Sequence, residues 1–189
     1  MNDTAFTELR VPRTTASALQ PRLKKDSLNI VIALSRDQIF VFNLLRKLYA
    51  LRESYPLLVV GLPDWVGFSG LDPEYMMALN VHIIQDSWVD YRDPSVRDFV
   101  LEFREDFSTE PDSFAFQGYD LAIHFFRMLM NYGQEFPRCA AEVKHKGLQT
   151  TYQFRQTPGN GFSNTYVNVF RFVDFQEVDA RTHPYVYDP

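Results

Sequence analysis

Cysteine is almost absent from this 189-residue chain, and the single thiol of Cys139 excludes an internal disulfide and any cluster of thiolate metal ligands. Long apolar runs are missing too. Ile30 to Leu34 and Leu57 to Val60 fall far short of the ~20 residues that a membrane-crossing helix needs. Positive charge is scarce and scattered: the net charge is -5 and no basic run exceeds Lys24-Lys25, which excludes a surface that neutralises nucleic-acid phosphates. No signal peptide is read at the N-terminus, because Asp3, Glu8 and Arg10 stand where its apolar core would lie.

Reactive constellations are equally thin. His82, His124, His145 and His183 are scattered, and none makes an H-E-x-x-H pair that presents two imidazoles to one metal. His82 and His124 lie in apolar stretches and read as partly buried histidines with a backbone partner. Gly67-Phe68-Ser69-Gly70-Leu71 has Leu where a nucleophile elbow needs a small residue for its strained turn. No Gly-rich phosphate loop follows a strand, since Ser35-Arg36-Asp37 comes after Leu34. Glu102, Arg104, Glu105 and Asp106 read as a solvated helix face. The residues therefore point to no catalytic group, metal or cofactor.

What the chain does have is a 46% hydrophobic content, enough for one domain or two small lobes. Residues 1–28 show no sustained period, with a short helix over Ala16 to Lys25 weakened by Pro21. Asn29 to Leu34 is an unbroken apolar run of strand length, which predicts a strand buried on both faces of a parallel sheet. Ser35-Arg36-Asp37 turns it into an amphipathic helix carrying Val41, Leu44, Leu45, Leu48 and Leu51. Leu57 to Val60 is a second buried strand, so the order strand, helix, strand predicts a parallel crossover. Asp72-Pro73 caps a short helix, and Val81 to Val89 is a third strand.

A helix pair follows over 93–135. Asp93-Pro94 starts a helix with Val96, Phe99, Val100, Phe103 and Phe107 on one stripe, and Glu110-Pro111-Asp112 breaks it. The second helix is predicted to bury Ala115, Tyr119, Ala122, Phe126 and Leu129 and to close near Asn131 and Gly133. In the last segment, 136–189, strands at 147–154 and 166–172 flank a loop with Pro158-Gly159-Asn160-Gly161 and read as one antiparallel hairpin, followed by a polar and aromatic tail.

The aromatic helix Phe99 to Phe107, the Thr109-Glu110-Pro111 turn and the opening Ala115-Phe116-Gln117-Gly118-Tyr119-Asp120 resemble the helix pair near the C-terminus of type I periplasmic binding proteins of the branched-chain amino-acid branch. The likeness runs over roughly Asn29 to Phe172. It implies an α/β fold: a parallel sheet flanked by helices over 29–92 as a second lobe, the helix pair as part of a first lobe, and closing antiparallel strands. It places a hinge crossing near Gln85 to Tyr91. The implied function is non-enzymatic capture of a small polar solute, an amino acid among the candidates, by closure of two lobes in the periplasm or cell envelope. An ABC permease would be met through regions outside this chain. The alternative is a module of a peptidoglycan-associated envelope protein, since relatives that sound similar pair it with LysM repeats.

Two-lobed members of that family are about twice this length, so the resemblance also implies that this chain is the C-terminal part of a longer protein. The stripe Val96, Phe99, Phe103, Phe107 is then expected to lack its cover, leaving the isolated chain loose, dimeric or aggregation-prone.

In open parallel sheets ligands bind outside the carboxyl ends of the strands. The candidate ligand-binding residues are therefore Ser35, Arg36 and Asp37 after the first strand, and Asp64 and Trp65 after the second. In amino-acid binders of the family an acidic residue in the matching loop holds the α-ammonium, and Asp64 is its nearest counterpart, one residue out of register. Ser35 and Arg36 stand where the family has an aromatic residue. Asp64 has a second reading as a turn residue bonding its own loop, and Trp65 as packing or a cleft wall.

Overall fold

The computed structural model describes residues 8, 19–159 and 161–187. Met1 to Arg13, expected as a loop, lies outside these except for Glu8; of the helix expected over Ala16 to Lys25, the described part holds a 3-10 turn at Gln20–Arg22. Pro21, inside that turn, has no N–H to continue a helical ladder. The chain forms two compact units, one made of residues up to Ile84 and from Val169 on, the other of Gln85–Asn168. The architecture is α/β, with a parallel-containing sheet flanked by helices and a separate antiparallel sheet. Among the described residues no helix is long and apolar enough to cross a membrane.

In the first unit β1 (Asn29–Ile32), α1 (Gln38–Leu51), β2 (Leu57–Gly61), α2 (Pro73–Ala78) and β3 (Val81–Gln85) alternate, and β1, β2 and β3 pair in parallel. The register sets Val31 beside Val59 and Val59 beside Val81, so these residues share a sheet face with Leu57 and Ile83. Val41, Leu44, Leu45 and Leu48 of α1 and Met76 of α2 are buried as well. Asp37 caps α1 by accepting the Phe40 N–H, and Asp72 caps α2 by accepting the Glu74 N–H.

The other face departs from expectation. Ile30 and Ile32 are 60% and 51% exposed, and Ile84 is also exposed, so β1, the edge strand of the sheet, is half-buried on one face and exposed on the other. An unbroken apolar run signals burial on both faces only if something covers both, and apolarity alone does not supply the cover.

The C-terminal strands also pair differently from the sequence reading. β5 (Thr151–Gln156) turns back at Pro158-Gly159 into β6 (Phe162–Asn164) and pairs on its other side with β4 (Lys144–Lys146). β7 (Asn168–Val173) instead joins the first sheet beside β3, and its antiparallel partner is β8 (Gln176–Asp179). Asn164 ends β6 by taking the Gln153 N–H on its Oδ1 and donating Nδ2 to the Thr151 carbonyl. The β7–β8 turn is Asp174-Phe175, both at positive φ, as a two-residue hairpin of type I′ requires, but without the Asn-Gly signature that would reveal it in a sequence.

In the second unit α3 (Pro94–Phe107) and α4 (Ser113–Tyr132) are followed by a single turn, α5 (Phe136–Cys139), and the β4–β5–β6 sheet. Val96, Phe99 and Val100 of α3 pack on Phe116 of α4, with the Phe99 and Phe116 rings 5.0 Å apart. The α3 stripe is thus covered, contrary to the expectation of a bare one; Phe107 alone of its five members is exposed. The face of α4 predicted to be buried is mostly the outer one: Tyr119, Ala122, Phe126 and Leu129 are exposed and only Ala115 is half-buried against the α3 cluster, while Phe116, Asp120, His124 and Met128 face inward. Gly133, at positive φ, closes the helix.

Two polar side chains decide that orientation. The Asp120 carboxylate accepts the N–H of Leu148 at 2.6 Å and of Gln149 at 3.0 Å, and a Cβ on Gly147 would overlap it. His124 stacks on Tyr152, with centroids 4.8 Å apart, and lies 5.6 Å from the His145 ring, whose Nε2 meets Arg127. Burial holds His124 below the usual histidine range and nearby His145 adds to the effect; burial followed by Arg127 does the same to His145, with Asp120 opposing.

The unfolded chain therefore protonates these rings near pH 6.5 before the folded chain does, so their contribution to stability falls as pH drops through that value and levels off below the folded pKa values. We expect His124→Phe to lose less stability than the wild type between pH 8 and pH 5. Equal losses in urea titrations at the two pH values would contradict this. In the first unit, a Cβ on Gly61 would lie 2.4 Å from the Trp65 ring. Gly61→Ala is expected to cost ~1–3 kcal/mol in denaturant melts, and a neutral result would show that the ring can move aside.

Candidate functional site

The parallel pairing of β1 and β2 brings their carboxyl ends together, and the five residues singled out in the sequence lie in the two loops that leave those ends. Ala33 still donates its N–H to the Val60 carbonyl, so the strands separate only after that point. Beyond it, Ser35, Arg36 and Asp37 lead into α1, while Leu62 leads into a 3-10 turn over Pro63–Gly67 that carries Asp64 and Trp65.

Trp65 ties the two loops. Its side chain is fully buried over Gly61, where the absence of a Cβ makes room for the ring, and its Nε1 donates to the Ser35 carbonyl at 2.8 Å. A buried indole N–H needs such a partner, and here the partner belongs to the neighbouring loop. Trp65 thus packs and positions. Ser35 also accepts the Asp37 N–H on its Oγ, and the Asp37 carboxylate is engaged in capping α1.

Arg36 and Asp64 face solvent. The Arg36 Nε lies 3.4 Å from the Asp64 Oδ2, and the side chains are 78% and 42% exposed. An exposed pair of this kind gains little Coulomb energy in water, so either partner exchanges readily for a group of the same charge on a solute. The positive end of α1 opens beside Arg36, just beyond the Asp37 cap. The site therefore presents one cation and one anion side by side on a braced floor. It holds no nucleophile with an adjacent base. Ser69 of the elbow-like segment follows the 3-10 turn instead of a strand, and its carbonyl accepts Gln38 Nε2.

Two features were not read from the sequence. The Arg36–Asp64 pairing joins residues 28 apart, and the partners could be recognised only once the strands were known to be parallel neighbours. A shallow depression of about 300 Å³ lies alongside α1, lined by Ile39, Phe42, Leu71, Asp72 and Tyr75 among others, and includes none of the five loop residues. Its lining comes from one helix and the 70–75 stretch, where the sequence shows only the Asp72-Pro73 start of α2 and no ligand-binding pattern. Among the described residues no three His, Cys, Asp or Glu side chains are grouped so as to hold a metal.

No family model matches the chain, and no curated protein matches it. Among solved structures it is similar to a Rhodospirillum rubrum protein described as a branched-chain amino acid ABC transporter, at 18% identity and a TM-score of 0.44, over 75% of this chain and 42% of that one. The chain therefore spans less than half the length of the structure it resembles.

Proposed function

We propose that this chain captures a small polar solute without covalent chemistry, and that the best-fitting class is a free amino acid held at the exits of β1 and β2. The observation that carries the reading is the exposed Arg36–Asp64 pair on loops locked by the Trp65 hydrogen bond. A zwitterion satisfies both charges at once: its carboxylate replaces Asp64 as the partner of Arg36, and its ammonium replaces Arg36 as the partner of Asp64. Because the exposed pair contributes little by itself, little is lost when the solute separates it. Trp65 and Gly61 keep the loop backbones in place, which lowers the ordering cost of binding.

In this reading the chain serves as part of the substrate-binding component of an ABC-type transporter, working in the periplasm or cell envelope. That assignment rests on the sequence resemblance and on the placement of the paired charges.

The experiment is thermal denaturation of the full chain against a panel of free amino acids, followed by calorimetry. A solute that prefers the folded state at 100 times its Kd adds about 2.7 kcal/mol of stability. We expect at least one amino acid to raise the Tm, and expect Asp64→Asn and Arg36→Ala each to abolish the shift while changing the ligand-free Tm little. A panel without a single shift would end the amino-acid reading, and binding that survives both substitutions would move the site elsewhere.

A further inference from the structure

We propose that the chain self-associates through the outer face of α4, as a two-fold antiparallel dimer whose axis passes near Ala122. At about 100° per residue, Phe114, Phe125, Leu129, Phe126, Tyr119 and Met130 fill one arc of about 160°, with Gly118, Ala122 and the half-buried Ala115 inside it; Tyr119 and Phe125, at its flanks, also touch the rings of Phe99 and Phe154 in their own unit. Phe114, Phe126 and Met130 are 76%, 63% and 85% exposed. Asp120 and Arg127, the Asp and Arg of this helix, fall on the opposite side, so no charge interrupts the arc. At about 200 Å² for each large side chain, the arc leaves roughly 600–700 Å² of apolar surface in water. That exceeds what most monomers leave contiguous and approaches the ~800 Å² that each partner buries in a stable interface.

The sequence of the arc selects a second copy as the occupant. In a two-fold interface, residue i meets residue j and j meets i. About an antiparallel axis at Ala122, Gly118 of one copy faces Phe126 of the other, so the largest ridge enters the place where side-chain volume is least. The same axis sets Phe114 against Met130, a ring with a thioether, along the i±4 ridge 114-118-122-126-130. A Cβ on Gly118 would meet nothing within 4 Å, so the hollow that receives Phe126 is open in the isolated chain. Small faces large on both sides of the axis, and Ala122 on the axis lets the two backbones approach.

Three versions of the full chain test this by sedimentation velocity between 1 and 100 µM. The wild type is expected to form a closed dimer. Ala122→Glu, which sets two carboxylates together at the axis, is expected to weaken the dimer at least 100-fold, with an unchanged circular dichroism spectrum and Tm at concentrations where both chains are monomeric. Ala122→Cys in a Cys139→Ser background is expected to form a disulfide-linked dimer on mild oxidation, because the axis brings the two Cα atoms within bridging range. A wild type that stays monomeric at 100 µM overturns the proposal. So does a dimer that Ala122→Glu leaves intact, or open-ended assembly without closure.

Discussion

The hydrogen bond from the Trp65 indole to the Ser35 carbonyl is the constraint on which the arrangement of the two loops leaving β1 and β2 depends. Parallel pairing of β1 and β2 brings two strand ends together, but loops that leave a sheet are free to diverge. Trp65 prevents this by lying over Gly61, filling the space where a side chain would stand, and reaching across to the neighbouring loop. The polar part of the bond is secured because the indole is buried and has to find an acceptor. Arg36 and Asp64 are adjacent as a consequence, an exposed pair of opposite charges on two loops held together from beneath.

The second unit is organised by a comparable bond made by a charged group. Asp120 lies inside the unit because two backbone N–H groups of the 148–149 segment converge on it, and Gly147 leaves room for them to do so. A buried carboxylate without such donors would be strongly unfavourable, so once these bonds form the rotation of α4 about its axis is set. His124 and Met128 then follow Asp120 inward at four-residue spacing, and the purely apolar arc is left outside. The exposed aromatic face of α4 is thus a consequence of where a polar residue finds its partners.

Much of the chain could be read locally. Asp37, Asp72 and Asp93 cap the helices they were expected to start, and the parallel order of the first two strands follows from strand, helix, strand in sequence. The errors share a cause: each concerns a partner distant in sequence. Ile30 and Ile32 are apolar whether or not the second sheet face is covered, so composition cannot tell a sheet covered on one face from one covered on both. Both arcs of α4 are rich in apolar residues, and spacing favours the arc without Asp120 and His124, because their partners lie some 28 residues downstream at Leu148 and Tyr152. The return strand after Pro158-Gly159 is only three residues long, and the longer β7 was the more conspicuous partner for β5 although it belongs to another sheet.

The same division holds at the candidate site. Local chemistry determined the types of element, their order, the helix caps and the two loops where polar residues gather, since caps, turns and periodicity act over a few residues. Only the tertiary structure decided that Trp65 braces the site from within, that Arg36 and Asp64 meet, and that α4 turns its aromatic arc outward. Those outcomes depend on burial and on hydrogen bonds between segments that only the folded chain brings together.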